Sequence, residues 1–234
     1  MFDLDTLIQL DKHLLLAVNG SESLYLDGLV KTLTTASTWI PLYISLFYMV
    51  MKNNDTVQKI SLIVGCAGLC VLFAGAVDDI LVKPSVARWR PTHDPEIGML
   101  VDVVNGYRGG DYGFFSAHAC NTFSIAVFFS WLVRSRLLTV FLFGWSFVNC
   151  WTRLYLGVHY PGDILVGLLW GATVGTGVWL FYRHLEQRLG MGNHNISERY
   201  TTTGYQLIDV DVVISVLVFT FIYAVLRACF FMYL

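Results

Sequence analysis

Charge is scarce in this sequence: Asp, Glu, Lys and Arg make up 14% of its 234 residues against 56% hydrophobic ones, and the formal net charge is -2. Soluble domains carry about a quarter of their residues as charges, so the bilayer rather than water is the expected solvent for most of this chain. Basic residues stand singly between apolar runs instead of forming a stripe, which argues against nucleic acid as a partner. Cysteine is scarce as well. Cys66, Cys70, Cys120, Cys150 and Cys229 all fall inside apolar runs with none of the spacing to histidine that zinc sites use. That argues against a zinc site or a disulfide framework and leaves them as small packing residues. No metal and no cofactor is expected. No internal repeat or low-complexity tract is present, and Met1 to Asp5 carries acids where a cleaved secretory signal has bases, so the start is expected to be retained.

What the sequence has instead is long apolar runs. A membrane-crossing helix needs about 18 nearly uncharged residues; several stretches exceed that, and six apolar segments are read as spans: about Thr35 to Met51, Ile60 to Val82, Phe114 to Val133, Leu137 to Trp151, Asp163 to Tyr182 and Val210 to Tyr233. Residues 3 to 18 set Leu4, Leu7, Ile8, Leu14 and Leu15 opposite Asp5, Gln9 and Lys12, the pattern of a helix lying on a membrane surface. The expected fold is therefore an all-α polytopic bundle of six transmembrane helices with an N-terminal interfacial segment, residues 1–34, forming one membrane-embedded domain over 1–234. Gly167, Gly171 and Gly175 recur every fourth residue and suit close helix packing in lipid.

Residues 83–113 form a polar loop too long for a passive connection. Alternating the spans brings this loop, the start of the third span and the segment between the fourth and fifth to one face. The opposite face collects Lys52, Lys59, Arg134, Arg136, Arg183, Arg188 and Arg199, and it reads as cytoplasmic if several of the equally numerous Lys12, Lys31, Lys83, Arg88, Arg90, Arg108 and Arg153 on the first face are reserved for chemistry. The first face then looks outward, which for a bacterial inner membrane is the periplasm.

That outer face gathers Lys83, Arg90 and Arg153 in an otherwise apolar protein. Cations are costly near membrane depth, so their accumulation implies a compensating anion, and phosphate fits. Phosphoryl transfer needs charge and donors on the equatorial oxygens, an in-line nucleophile and an acid for the leaving oxygen. Ser116 and the backbone N–H groups from Ala117, at the start of the third span, add donors at a helix N-terminus. His159 and Asp163 lie four apart, so the carboxylate can fix the imidazole tautomer and leave the other nitrogen nucleophilic. His118, from another span, can protonate the departing alkoxide and then activate water.

Lys83 with Arg90-Pro91, Ser116-Ala117-His118, and Arg153 with His159 and Asp163 together resemble the three-part signature of the type 2 phosphatidic-acid phosphatase superfamily. The resemblance implies His159 as nucleophile, Asp163 as its partner, His118 as general acid, and Lys83, Arg90, Ser116 and Arg153 as phosphate ligands, without a metal. Two departures stand out: the usual Pro-Ser-Gly-His appears as Phe115-Ser116-Ala117-His118, and Thr152 stands where a serine precedes the last motif's Arg. The implied reaction is hydrolysis of a lipid phosphate monoester or diphosphate through a phosphohistidine. Undecaprenyl diphosphate, phosphatidic acid, phosphatidylglycerol phosphate and a lipid A phosphate are the substrates the resemblance allows, with membrane lipids as surroundings.

Competing readings stay open. The same phosphohistidine could pass its phosphoryl group to another lipid, making a phosphotransferase, and a transporter or lipid-binding scaffold would need no catalytic histidine. The vanadate-dependent haloperoxidases share the anion site but have a soluble body. Asp78 and Asp79 could orient Lys83 or Arg88, or only balance loop charge. Arg88 and Arg108 read as interface residues or head-group contacts, His93-Asp94 as surface, Arg227 as snorkelling or paired, and His13, His184 and His194 as outside the site.

Overall fold

The computed structural model describes residues 3–190 and 199–231, so His194 and the last residues of the expected sixth span lie outside the described residues. Within them the chain is all-α: α1 (Leu4–Leu16), α2 (Leu24–Thr34), α3 (Ile40–Lys52), α4 (Val57–Val86), α5 (Ala117–Val133), α6 (Arg136–Tyr155), α7 (Pro161–Arg188) and α8 (Leu207–Phe231). Starts are set by local chemistry. Ser23, Thr56, Ser116 and Ser135 each accept a hydrogen bond from a first-turn N–H of α2, α4, α5 and α6, and Pro161 opens α7 where its missing N–H costs nothing. Arg134, at φ 55°, ends α5 and allows the tight turn into α6.

Four helices, α4, α6, α7 and α8, are long and apolar enough to cross a membrane, and α2 with α3 makes a fifth if that bent pair is one span. The first expected span is thus altered. Thr35 is extended and the axis turns by 66° there, so α2 precedes the bend and α3 follows it. Hydroxyls at the bend take over backbone bonding: Thr32 donates to Gly28 O, Thr35 to Lys31 O and Thr38 to Thr32 O. The expectation that residues 1–34 form one interfacial stretch also needs correction, because α2 buries Gly28, Val30, Thr32 and Leu33 and packs on α8 and α6. Only α1 keeps a row of exposed leucines, Leu4, Leu7, Leu10 and Leu14.

The centre of the bundle is α5. It is apolar all round and correspondingly buried through Ile125 to Phe129, although at 17 residues it is shorter than the four helices long enough to cross a membrane. Its closest partner is α7, whose glycine row serves the packing expected of it: a Cβ on Gly167, Gly171 or Gly175 would stand 2.9, 2.7 or 2.6 Å from the carbonyl oxygens of Ser116, Cys120 and Ser124. This contact locks the N-terminus of α5, with His118, beside the N-terminus of α7, with Asp163.

Helix α4 runs past the expected boundary at Val82 to Val86, widening into π turns at Leu72–Ala76 and Asp78–Val82. Lys83 therefore sits on the last turns of a helix instead of opening a loop. Likewise α6 extends to Tyr155, so Thr152 and Arg153 are helical and buried where a polar connection was expected.

Candidate active site

His159 lies in the short connection between α6 and α7 and is 2% exposed. Its Nε2 stands 3.1 Å from Arg90 Nη1, which also donates to the Val158 carbonyl at 3.1 Å. A guanidinium only donates, so Nε2 must present its lone pair and the proton belongs on Nδ1. Burial, then the charges of Arg90, Arg153 and Lys83, hold the imidazole pKa well below its usual 6.5 and keep the ring neutral. A neutral ring with a bare Nε2 is the nucleophilic form.

The expected partner of that ring is close but not bonded. Asp163 Oδ2 lies 3.6 Å from His159 Nδ1, beyond a good hydrogen bond. Asp163, fully buried as the third residue of α7, instead receives the Tyr160 N–H on Oδ2 at 3.0 Å and Arg88 Nη1 on Oδ1 at 2.6 Å. Gly113 is what lets the 87–116 loop approach so closely: a Cβ there would meet Arg90 Cγ at 3.0 Å and Asp163 Oδ2 at 3.4 Å. The loop is pinned across itself, Arg90 N donating to Asp111 O and Gly113 N to Arg88 O, both at 2.9 Å.

Two guanidiniums are buried here without a counter-ion. Arg90 is 9% and Arg153 2% exposed, and among the described residues neither lies within ion-pair distance of a carboxylate. Arg153 donates to Thr34 Oγ1 at 2.7 Å and to the Tyr107 hydroxyl at 3.2 Å, and the Nε atoms of both arginines are buried without a partner. Burial and then the Arg153 charge lower the Arg90 pKa, which marks electrostatic repulsion between the two. The Tyr107 pKa is lowered as well: burial would raise it, but the Arg153 and Arg90 charges together with the Arg153 hydrogen bond outweigh burial. Together the cations make a concentrated positive field beside Nε2.

Lys83 differs from its two companions. It pairs with Asp78 at 2.9 Å and with Asp79, while Asp78 also accepts the Phe115 N–H at 3.1 Å. Of the two options open for these acids, the structure has them on Lys83. His118 and Arg153 line one cavity of about 510 Å³ with Lys31, Thr34 and Tyr107, and His118 and Thr34 reach a second of about 200 Å³ between α3, α5 and α6. Ser116 is fully buried, its Oγ accepting from Ala119 N at 3.4 Å as the cap of α5, with Ala117 as the first helical residue.

Other sequence expectations shift. Arg88 is no interface residue: it bridges Asp163 and Asp11 and lies 4.2 Å over the Tyr160 ring. Burial opposes its charge, yet Asp163 and Asp11 more than offset that and raise its pKa. Asp94 is tied to Lys12 and to the Tyr160 hydroxyl rather than standing as plain surface. Arg108 donates to Thr92 O, and Arg227 to Tyr223 on its own helix. Asp11, Thr34, Tyr107 and Tyr160 were not picked out from the sequence; only the placement of Tyr160 directly after His159 hinted at a role. Among the described residues no group of three or more His, Cys, Asp or Glu side chains could hold a metal ion.

The family model of the PAP2 superfamily matches residues 63–187, the stretch that carries all of these motif residues. The chain is similar to the lipid A 4'-phosphatase of Bacteroides thetaiotaomicron, 41% identical over 181 residues that cover 76% of this chain and 78% of that one. It is 31% identical over 185 residues to the lipid A 4'-phosphatase of Porphyromonas gingivalis, covering 79% and 78%. A decaprenylphosphoryl-5-phosphoribose phosphatase of Mycobacterium tuberculosis is 37% identical over 113 residues, covering 48% and 56%. No solved structure matches the chain.

Proposed function

This chain belongs to the PAP2 superfamily, and from that premise we propose that it hydrolyses a lipid phosphate through a phosphohistidine on His159, with the 4'-phosphate of lipid A as its substrate. The observation that carries the reading is the pair of buried guanidiniums, Arg90 and Arg153, without a carboxylate beside the bare Nε2 of His159. Uncompensated buried charge costs several kcal/mol by general experience, and a phosphate dianion supplies the compensation. The substrate assignment is supported by two relatives named lipid A 4'-phosphatase that align along about three quarters of this chain.

In the proposed reaction the phosphate oxygens take the donors of Arg90 and Arg153, and Arg90 Nη1 leaves the lone pair of Nε2 as it turns to the anion. Nε2 attacks phosphorus and the bond from phosphorus to the leaving oxygen breaks. His118 gives its proton to that oxygen. The dianion favours a protonated His118 before the step, because opposite charge stabilises the imidazolium. Water then attacks the phosphohistidine, His118 accepts its proton, the Nε2–P bond breaks and inorganic phosphate leaves, so one water is consumed per turnover. Asp163 faces the Nδ1–H throughout and stabilises the positive charge that grows on the ring. Lys83, held by Asp78 and Asp79, contributes its field from the end of α4, and Ser116 with the Ala117 N–H completes the donor set at the start of α5.

We further propose that the chain crosses a bacterial inner membrane six times, with α2 and α3 as one broken crossing, α5 as the short central one, and α1 on the outer surface. Lys52, Arg134, Arg136 and Arg188 gather at the end opposite the site, and this supports a cytoplasmic assignment for that end and a periplasmic one for the site.

Phosphate release from lipid A bisphosphate and a panel of other lipid phosphates, measured in detergent with EDTA beside His159→Ala, tests the reading. Release is expected from the wild type alone, and highest with lipid A. Unchanged release by His159→Ala would remove the mechanism.

A further inference from the structure

We propose that Asp11, on the N-terminal helix, and Arg88 are positioning residues that hold the Asp163 carboxylate toward His159. The inference rests on the reading of His159 as the nucleophile. A carboxylate turns about its last bond unless both oxygens are bound. Tyr160 N–H holds one oxygen of Asp163 at 3.0 Å and Arg88 holds the other at 2.6 Å, and these two bonds set the plane in which Oδ2 faces His159 Nδ1.

Arg88 is fixed in turn. Its Nη2 donates to Asp11 Oδ2 at 2.6 Å, and its guanidinium lies 4.2 Å over the Tyr160 ring. The other oxygen of Asp11 accepts the Gly162 N–H at 2.7 Å, one residue before Asp163. The contacts form a closed circuit from Asp11 to the first turn of α7, through Asp163 to Arg88 and back to Asp11. Gly162 is required for it, since a Cβ there would stand 2.8 Å from Asp11 Oδ2.

The charges explain why two carboxylates share the arginine. Arg88 alone would neutralise Asp163 and weaken its pull on the imidazole Nδ1–H. With Asp11 on the far side, the three groups sum to one negative charge, and Asp163 keeps its influence on His159 while its geometry stays fixed. Both arms of Arg88 are taken, by Asp163 and by Asp11 at 2.6 Å each, so both residues act through Asp163 and not on the phosphate. Helix α1 is anchored beside them: Lys12 pairs with Glu96 at 2.6 Å and with Asp94 at 3.3 Å, and Asp94 takes the Tyr160 hydroxyl at 2.7 Å. On this proposal the amphipathic helix at the start of the chain helps to position Asp163.

The test uses full-length protein in mixed micelles with lipid A bisphosphate. For Arg88→Ala, kcat should fall about tenfold to a hundredfold, the usual effect of losing a group that orients a reacting one, while KM changes less than about threefold. Added guanidinium ion should restore part of that loss in Arg88→Ala and nothing in His159→Ala. Asp11→Asn should lower kcat in the same direction but less, and the Asp11→Asn, Arg88→Ala double variant should be no slower than Arg88→Ala alone, as expected for residues acting as one unit. Arg88→Lys, which keeps the charge without the two-armed geometry, covers the case in which Arg88→Ala does not fold. A kcat for Arg88→Ala or Arg88→Lys within about twofold of wild type would overturn the proposal, as would a loss that follows a lowered Tm without guanidinium rescue. Equal release by His159→Ala would overturn the nucleophile reading and this proposal with it, whereas normal kcat in the Arg88 variants beside an inactive His159→Ala overturns the positioning alone.

Discussion

The two ends of this bundle bury charge in opposite ways. Where α4 begins and α7 ends, Lys59 meets Glu186 at 3.1 Å, Tyr182 donates to Glu186 at 2.8 Å, and Asp209 accepts from Asn53 at 2.9 Å. The buried cation there, Lys59, has an anion, and its pair with Glu186 ties α4 to α7. At the other end of the same helices, Lys83 and Arg88 have carboxylates, but among the described residues Arg90 and Arg153 do not. A charge buried with its partner fixes structure, and a charge buried without one waits for a ligand. The difference between the ends is more telling than the count of charges at either.

The sharpest way to break this comparison is a crossed pair of substitutions. Lys59→Met leaves Glu186 buried beside an apolar chain and should destabilise the fold by about 3–5 kcal/mol, with the activity of the remaining folded protein within about twofold of wild type. Arg153→Met removes a charge that lacks a partner, so it should cost about 10²–10³-fold in kcat/KM while leaving Tm unchanged or raised. Thermal melts and initial rates on both variants check the pair, and loss of stability in Arg153→Met equal to that in Lys59→Met would erase the distinction.

A second prediction concerns the missing anion. Orthovanadate, a phosphate mimic, should raise Tm, and at a hundred times its Kd the stabilisation should be about 2.7 kcal/mol. The rise should vanish in Arg153→Met and persist for an active-site-distant variant such as Arg227→Gln. A uniform rise across all three proteins would mean that the anion does not bind where the unpaired arginines lie.

The smallest effect expected is on pH. His159 is held well below its unfolded value of about 6.5 by burial and by Arg90, Arg153 and Lys83, so between that value and its folded pKa only the unfolded chain takes up the proton. Its contribution to stability is intact above pH 6.5 and is lost as pH falls below it, by about 1.4 kcal/mol per pH unit. Unfolding free energies at pH 7.5 and 5.5 should therefore drop more steeply for wild type than for His159→Gln.

Much of this was legible beforehand. The apolar runs gave the positions of the helices, and the glycine row of α7 announced close packing on a neighbour. The three motif segments named Lys83, Arg90, His118, Arg153, His159 and Asp163, and the fold brings these segments to one end of the bundle. Helix ends were less legible, because Lys83 and Arg153 look like loop residues in a hydropathy pattern while their backbones remain helical. The bend at Thr35 carried a signal that was missed, a dense run of Thr and Ser whose hydroxyls can replace backbone bonds. The link from Asp11 to Arg88 carried none, since the two are 77 residues apart and each reads alone as a surface charge.

By itself, then, the sequence determined the solvent of the chain, its helical elements and the chemical groups available to one face. Side-chain type and hydrophobic period are local properties, and they suffice for that. Only the tertiary structure decided which of those groups are paired: Lys83 with Asp78 and Asp79, Arg88 with Asp163 and Asp11, Arg90 and Arg153 with no carboxylate among the described residues. Pairing is a matter of a few ångströms between residues distant in the chain, and it is this that leaves the uncompensated charge beside His159.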